Sequence, residues 1–265
     1  MTRTHSEGTN VDDVRALSEA VAERRLMLFY QPIVRMPTGQ VVHYEALLRL
    51  RDREGHVIAP GRFLSDVSRL GLATEYTKWV IGTAISALKA RPRLRIHVNL
   101  FSECVGNPSL LQFVREQVAG LAPGQLGFEM SEDTVIANMS ATADWILALK
   151  QIGCQFAIDD FGAGNTATDV LVSLPVDCVK VDGSLVMGIT ADRQKRSLVE
   201  AVGTMARGQK KIVVAECVES EAIAGELISI GIEIGQGCFF GAPGPRLPQR
   251  MGRRRAVAAA GRAAT

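Results

Sequence analysis

Short apolar runs that each finish on a polar side chain recur along this chain. Seven runs (VVHYE, RIHVN, LGFE, FAIDD, CVK, VVAE and EIGQ) end at the following carboxylates, amides and lysine: Glu45, Asn99, Glu129, Asp159 with Asp160, Lys180, Glu216 and Gln236. A strand, a helix and the return to the next strand take about 30 residues, and most intervals between these positions are of that order. The pattern indicates an α/β barrel that places one polar residue at each strand end.

The periodicity of apolar positions predicts eight strands and seven helices. The predicted strands span 25–34, 41–50, 94–100, 126–130, 154–160, 177–182, 211–216 and 232–237. The predicted helices span 11–24, 63–71, 73–90, 108–119, 140–152, 192–208 and 220–230. The connection at 35–40 is shorter than the dozen or more residues that a parallel crossover needs, so the first two strands are predicted to be antiparallel. The fold class is therefore a modified (β/α)8 TIM barrel with its first strand antiparallel to the rest.

Length and charge then set the domain organisation. The 265 residues suit one barrel of about 250 residues. We expect an N-terminal extension with a lead-in helix (1–24), the barrel (25–245) and a disordered, basic Ala/Arg-rich tail (246–265). The tail holds six arginines and no acid, so removing it from the net charge of +2 leaves −4 for the barrel. A mildly acidic barrel argues against a DNA or RNA partner, although contact of the tail with RNA or a membrane surface is an open alternative.

Cellular location is inferred from the N-terminus and the cysteines. The first residues are polar and lack the apolar stretch of a secretory signal. No run approaches the roughly 18 apolar residues of a membrane span. The five cysteines are odd in number and form no CxxC pair, which favours a reduced, cytoplasmic setting.

The polar strand ends predict a metal site. Alternate residues of a strand share a face, so these ends would bring five acidic groups together, with Lys180 the only cation among them. Like charges at such distances destabilise the fold unless a cation compensates, and oxygen ligands select Mg²⁺ or Mn²⁺. A glycine-rich turn follows Asp159 and Asp160 and would let the second carboxylate return to the same site as part of a two-metal clamp. The alternative is that this acidic pair only caps the next turn.

These motifs resemble the EAL-domain family, in family order. The segments that carry the resemblance are QPIV (31–34), YEALLRL (44–50), PGRF (60–63), HVNL (97–100), FEMSE (128–132), DDFGAG (159–164), VKVD (179–182), AECVE (215–219) and GQGCFFGAP (235–243). The resemblance spans roughly residues 25–245. It implies a bacterial phosphodiesterase that opens cyclic di-GMP to linear pGpG with two Mg²⁺ or Mn²⁺ ions, on a TIM barrel with an antiparallel first strand.

The family pattern also implies a role for each site residue. Glu45, Asn99, Glu129 and Asp159 would bind one metal, and Asp159 and Asp160 the second. Lys180 and Glu216 would position and activate the attacking water, supported by Gln236, while Gln31, Arg49 and Gln236 would contact the substrate.

Glu132 would brace the loop after the acidic pair and couple metal binding to formation of a homodimer. It could instead be a solvated carboxylate at a helix start, where the helix dipole favours negative charge.

Several alternatives remain open at this level. Cys217 stands where the family usually has glycine, beside Glu216, and this departure would strain the turn or narrow the pocket. His43 and His97 each precede a proposed ligand by two residues, and they would be hydrogen-bonded core histidines or metal ligands. The chain could also be a receptor that holds cyclic di-GMP uncleaved and signals through a protein partner. A third reading is an unrelated Mg²⁺ barrel enzyme acting on a small phosphorylated or carboxylated metabolite.

Overall fold

A computed structural model of the chain describes residues 17–136, 139–162, 171–248 and 251–257. The strands within these ranges are β1 (Leu26–Arg35), β2 (Gln40–Arg51), β3 (Val57–Ile58), β4 (Ile96–Asn99), β5 (Leu126–Ser131), β6 (Gln155–Phe161), β7 (Cys178–Val181), β8 (Ile212–Ala215) and β9 (Ile234–Gln236). The helices are α1 (Leu64–Arg69), α2 (Ala73–Lys89), α3 (Pro108–Gln117), α4 (Glu132–Ile136), α5 (Met139–Lys150), α6 (Gly183–Val186), α7 (Arg193–Gly208) and α8 (Glu221–Ser229), with 3-10 turns at Pro60–Arg62 and Ser102–Cys104.

Eight strands close into a barrel whose first strand runs against its neighbours. β1 pairs antiparallel with β2 on one side and with β9 on the other, which closes the sheet. The remaining pairs, from β2–β4 through β8–β9, are parallel. The short strand β3 adds to the outer part of β2. The predicted modified TIM barrel with an antiparallel first strand is confirmed.

Polar caps and glycines delimit the helices. Asn107 accepts hydrogen bonds from two backbone N–H groups at the start of α3, and Asp192 does the same for α7. Gly153 and Gly231 adopt positive φ angles of 92° and 81° just beyond α5 and α8, as predicted for helix C-termini. Among the described residues, no helix combines the length and apolar content that crossing a membrane would require.

Apolar packing lies in two places, outside and inside the sheet. Between the sheet and the helices, aromatic side chains such as Phe128, Phe156 and Trp145 pack against one another. Inside the barrel, a small apolar cluster fills the end away from the carboxyl ends of the strands; it consists of Ile33, Ala157, Cys178, Val214 and Ile234. In barrels of this kind the functional site lies at the carboxyl-end mouth.

Element bounds differ from the predictions mainly at their ends. Of the predicted lead-in helix 11–24, residues 11–16 lie outside the described ranges; residues 17–19 are helical and the chain then turns. β2 is one residue longer at each end than the predicted strand 41–50, and its outer half pairs with β1 and β3. β8 ends at Ala215, so Glu216 lies just beyond the strand. The short elements β3, α4 and α6 were not predicted because they have too few residues for a recognisable period.

Part of the C-terminal tail packs on the barrel. The Val41 N–H donates to Gly252 O at 3.0 Å, and the Val257 N–H donates to Met36 O at 2.9 Å. Val257 is only 2% exposed. The expectation of a disordered tail therefore does not hold for residues 251–257, because the β1–β2 turn offers backbone partners and a buried place for Val257. Residues 249–250 and 258–265 of the predicted tail lie outside the described ranges.

Candidate active site

The predicted polar residues meet at the carboxyl-end mouth of the barrel. Glu45 comes from β2, Glu129 from β5, Asp159 from β6 and Lys180 from β7. Asn99 ends β4 and is register partner of Glu129. We call the full set the rim cluster: Glu45, Asn99, Glu129, Asp159, Asp160, Lys180, Glu216 and Gln236.

Lys180 lies at the centre of the rim cluster. Its Nζ is 2.7 Å from Glu129 Oε2, Asp159 Oδ1 and Glu216 Oε1, and 3.7 Å from Glu45 Oε2. Burial alone would lower the pKa of Lys180, but the surrounding carboxylates raise it well above its usual value. The side chain is 2% exposed and remains an ammonium ion.

Glu45 is held by amide groups. Asn99 Nδ2 donates to Glu45 Oε1 at 2.6 Å, and Gln236 Nε2 donates to Glu45 Oε2 at 2.5 Å. Gln236 Nε2 is also 3.0 Å from Gln31 Oε1, and Gln31 Nε2 donates to Gly241 O at 3.2 Å. Gln31 and Gln236, predicted as substrate contacts, are thus bonded to each other, and Gln236 orients Glu45.

An irregularity in β6 brings the carboxylates of Asp159 and Asp160 to the same mouth of the barrel. Register with β7 shifts between Ile158 and Phe161, and Asp160 has a φ of 54°, in the left-handed region. This backbone turn lets both carboxylates reach the mouth although adjacent strand residues normally face opposite ways. Asp159 and Asp160 therefore lie together, rather than Asp160 merely capping the next turn.

The carboxylates form two overlapping groups with the geometry of metal ligands. Oxygens of Glu45, Glu129 and Asp159 lie within 4.8 Å of one another, and so do oxygens of Asp159, Asp160 and Glu216. Asp159 belongs to both groups. An oxygen-only donor set of this kind suits hard divalent cations such as Mg²⁺ and Mn²⁺. The rim cluster therefore fits two adjacent ions that share Asp159.

The electrostatics of the cluster also favour added positive charge. Burial raises the pKa of Glu45, and burial together with Asp159 raises that of Asp160. Burial, with smaller contributions from Asp159 and Glu45, raises the pKa of Glu216 to about 8 despite the nearby ammonium. Glu129 is different: burial would raise its pKa, but Lys180 and His97 hold it well below the usual value. One ammonium does not neutralise this many carboxylates.

Glu132 contacts the segment after the acidic pair. Its Oε2 accepts a hydrogen bond from the Gly162 N–H at 3.2 Å, and the residue is 5% exposed. Gly162 has a φ of 94°. The carboxylate is thus buried and bonded to the chain two residues beyond Asp160, in contrast to the solvated alternative. The rest of that loop, residues 163–170, lies outside the described ranges.

Cys217 is in a conformation that glycine adopts most easily. Its φ is 51°, immediately after Glu216. Its Sγ would be 2.4 Å from a Cβ placed on Gly183, so only glycine fits opposite this thiol. The expected strain of the turn is therefore present, and Gly183 gives the side chain room.

A cavity of about 330 Å³ opens beside the rim cluster. Its polar floor includes Asn99, Glu129, Asp159 and Asp160. Its apolar wall includes Leu47 of β2 and, from segments that carry none of the predicted site residues, Pro60, Leu64, Val80 and Phe101. Sequence reasoning missed this wall because its helical residues have the same periodicity as core residues; the PGRF motif at 60–63 was the only signal.

Arg49 does not line this cavity. Its guanidinium donates to Leu48 O at 2.8 Å and lies over the Phe29 ring, 5.2 Å from the centroid. The side chain is therefore held on the outer part of β2. Its role as a phosphate contact remains a prediction.

The two histidines lie one layer beneath the rim cluster. Their rings stack with centroids 3.9 Å apart and an interplanar angle of 24°. Burial and the neighbouring His97 lower the pKa of His43 well below its usual value. His97 Nδ1 is 3.3 Å from Glu129 Oε1, but the pair does not have hydrogen-bond geometry. Both histidines are buried, as expected, but the expected hydrogen bond is missing at His97 Nδ1.

Comparison with known proteins places the chain in a family. Residues 14–243 match the EAL domain. The cyclic di-GMP phosphodiesterase NbdA of Pseudomonas aeruginosa is 33% identical over 236 residues, covering 86% of this chain and 30% of NbdA. The cyclic di-GMP phosphodiesterase PdeF of Escherichia coli is 32% identical over 235 residues, covering 86% of this chain and 31% of PdeF. The chain spans about a third of the length of these curated relatives.

Solved structures share the fold over nearly the same range. The PaMucR phosphodiesterase in complex with c-di-GMP superposes with a TM-score of 0.82 at 29% identity, covering 89% of this chain and 98% of that one. The FimX EAL domain from Pseudomonas aeruginosa bound to c-di-GMP superposes with a TM-score of 0.85 at 26% identity, covering 91% and 100%. With the family match extending over most of its length, the chain belongs to the EAL-domain family.

Proposed function

We propose that this chain is a phosphodiesterase that hydrolyses cyclic di-GMP to linear pGpG with two Mg²⁺ or Mn²⁺ ions. The observation that carries the proposal is that two clusters of three carboxylates each share Asp159 and lie beside a cavity of 330 Å³. The relatives named as cyclic di-GMP phosphodiesterases and the structures that contain c-di-GMP support the choice of substrate.

The metal ligands follow from the two groups. Glu45, Glu129 and Asp159, with the Asn99 amide beside Glu45, would hold one ion, and Asp159 and Asp160 would hold the other. When bound, such a pair of ions polarises a phosphoryl oxygen and lowers the pKa of a water positioned for in-line attack. The carboxylates alone would repel a phosphodiester, so substrate binding depends on cations at this rim.

Glu216 and Lys180 differ in the proton transfer that they can perform. Lys180 Nζ contacts three carboxylates at 2.7 Å, which keeps it protonated and unsuited to act as a base. Glu216 is partly accessible, at 17% side-chain exposure, and lies beside Asp159 and Asp160. Cations bound at the rim would lower the raised pKa of Glu216. We therefore assign Glu216 as the acceptor of the water proton and Lys180 as the group that orients it.

The apolar wall of the cavity gives the substrate a place for a base. Leu47, Leu64 and Phe101 face the cavity opposite the acidic floor. A flat guanine would bury apolar surface against this wall while its phosphate lies over the rim cluster. Arg49 would have to leave its contact with Leu48 O to reach a phosphate, as guanidinium groups do well.

A homodimer and a cytoplasmic location form part of the same proposal. Exposed apolar side chains occur at Ile136, Val172 and Met187, on segments that follow the neighbouring strands β5, β6 and β7. Exposed apolar residues on neighbouring segments are typical of a surface that associates with another protein chain. All five cysteines are free thiols, as in a reducing compartment.

A receptor that binds cyclic di-GMP and acts through a protein partner is the second candidate. It is favoured by one feature, the strained backbone of Cys217 directly beside Glu216, which would misplace the proposed base. The similarity to the FimX EAL domain bound to c-di-GMP supports ligand binding equally in either case.

Product analysis separates the two functions. Purified protein is incubated with cyclic di-GMP and Mg²⁺ or Mn²⁺, and the nucleotides are resolved by chromatography. We expect conversion to pGpG, and we expect Glu45→Ala to abolish it because the first ion loses a ligand. Glu233→Ala is the matched control, since Glu233 is an exposed glutamate paired only with Arg35 at 3.2 Å among described residues. Tight binding of intact cyclic di-GMP by the wild-type chain would identify a receptor.

A further inference from the structure

The end of the barrel opposite the rim cluster carries several arginines. β1 runs against its neighbours, so its last residue, Arg35, lies beside Ile234 at the start of β9. Arg93 and Arg95 directly precede β4 and therefore lie at the same end. The barrel as a whole is mildly acidic, so this basic end is a local feature. Local positive charge of this kind attracts anions.

The three arginines line one cavity of about 330 Å³. The start of β2 and Met251 of the packed C-terminal segment complete its walls. The backbone of Arg253 pairs with that of Gln40, which lines the cavity, so a fourth arginine lies close by. Pockets for small molecules typically have volumes of about 300–1,000 Å³. The cavity is therefore large enough for a small organic ligand.

Carboxylates offset only part of this positive charge. Arg35 Nη1 pairs with Glu233 Oε2 at 3.2 Å, whereas the two arginines before β4 form no ion pair within the described part of the chain. Asp177 and Arg95 both line a smaller neighbouring cavity, but Asp177 is bonded to Lys150 at 2.6 Å. Guanidinium groups around one cavity repel one another unless an anion lies between them. An anionic ligand would remove this repulsion.

The chemistry of the lining favours phosphate groups. A guanidinium offers a planar set of N–H donors that matches two oxygens of a phosphate. A single carboxylate would bring one negative charge to three arginines, whereas two adjacent phosphates bring several. The side-chain amide of Gln40 adds an uncharged donor, and Val42 and Met251 offer apolar contact to the rest of a ligand.

We propose that the cavity lined by Arg35, Arg93 and Arg95 binds a small molecule with adjacent phosphate groups, such as a nucleoside diphosphate or triphosphate. The site lies at the opposite end of the barrel from the rim cluster and does not depend on hydrolysis of cyclic di-GMP. Occupation would tie the end of β1 and the start of β4 to the C-terminal segment through one ligand.

Calorimetric titration of metal-free protein tests this site. With chelator present, the carboxylates of the rim cluster repel phosphates, so binding there is suppressed. Pyrophosphate and ADP are the probes, and we expect one site per chain whose affinity falls as salt is added.

Exchange of single arginines locates the binding. Arg93→Gln and Arg95→Gln should each weaken it about tenfold or more, because each removes a charged hydrogen-bond donor. Arg115→Gln is the matched control and should leave the affinity unchanged, since Arg115 is exposed on α3 and lines neither of these two cavities.

Three results would overturn the proposal. The first is no binding of pyrophosphate or ADP at low salt, and the second is equal affinity in all three arginine variants. The third concerns lipid headgroups, which carry the same phosphate chemistry. Sedimentation with anionic but not with neutral phospholipid vesicles, undisturbed by pyrophosphate, would assign the arginines to a membrane surface.

Crystals of the wild-type protein give a measurement that needs no variant. Tungstate resembles phosphate in shape and charge and has a strong anomalous signal. A tungsten peak among the three guanidinium groups supports the site, and tungsten peaks found only elsewhere would refute it.

Discussion

At the level of single residues, Lys180 supplies the positive charge of the rim cluster and offsets part of its negative charge. Its ammonium contacts Glu129, Asp159 and Glu216 at 2.7 Å, so these three carboxylates can lie close together without bound metal. Glu129 depends on it most, because that carboxylate is 0% exposed and fully charged. Removing one partner of a buried ion pair leaves the other charge uncompensated. This lowers the free energy of unfolding far more than replacing the whole pair by apolar residues does.

Lys180→Met should therefore destabilise the metal-free protein by about 3–5 kcal/mol. The measurement is urea unfolding followed by circular dichroism. Lys150→Met is the matched control, because Lys150 pairs with Asp177 at 2.6 Å with both side chains 30% exposed. The control should lose only about 1 kcal/mol, because a partly exposed ion pair contributes little to stability. Equal losses in the two variants would show that the rim charges are already neutralised by protonation.

The sequence predicts which residues lie at the rim, but it does not predict their backbone conformations. Glu45, Glu129 and Lys180 were predictable because a period of two fixes which side chains face inward. The left-handed conformations of Asp160 and Cys217 were not, since neither residue signals it as a glycine does. The hydrogen bonds of Gln31 and Gln236 were also missed, because 205 residues separate the partners and only barrel closure joins them.

At the level of elements, the backbone of the turn between β1 and β2 lies directly against the backbone of the C-terminal segment. Gly39 has a φ of 68°, and a Cβ there would lie 2.3 Å from Arg254 O in the packed C-terminal segment. Arg254 N donates to Gly39 O at 2.6 Å, so the two backbones are directly joined. The composition of the tail predicts a frayed segment. Residues 251–257 are ordered instead by hydrogen bonds to the turn between β1 and β2, which the tail sequence alone does not indicate.

Gly39→Ala should be more destabilising than an alanine at an equivalent but open turn. Gly55 provides the control, because its φ is 93° and no atom lies within 4 Å of its Cβ position. Both variants incur the left-handed strain of about 1–2 kcal/mol, and only Gly39→Ala adds a clash with backbone. Thermal unfolding of both proteins gives the comparison. Identical losses would mean that residues 251–257 do not pack as described.

The start of α4 supports the acidic pair. Glu132 binds the Gly162 N–H, so removing its side chain should loosen the backbone that places Asp160. We expect Glu132→Ala to weaken binding of Mn²⁺ about ten- to hundredfold, the usual effect of losing a group that orients ligands. Titration calorimetry measures this affinity. Asp133→Ala, an exposed neighbour on the same helix, should leave it unchanged; equal affinities in the two variants would contradict the bracing role.

At the scale of the whole molecule, barrel closure is the step that creates the site. β1 joins β2 to β9, and this brings Glu45 from near the start of the chain against Gln236 from near its end. The order of strands and the antiparallel first strand were predictable from connection lengths. The cavity beside the rim was not, because part of its wall comes from helix residues whose contacts are set only when the helices pack on the closed sheet.

The central claim is that the rim cluster binds two hard cations and that hydrolysis requires both. The most direct measurement is product formation from cyclic di-GMP as metal-stripped protein is loaded stepwise with Mn²⁺, with bound metal counted at each step. We predict no pGpG without metal and a maximal rate at two ions per chain. Hydrolysis that persists in chelator, or intact cyclic di-GMP on a chain that holds two Mn²⁺ ions, would contradict the account.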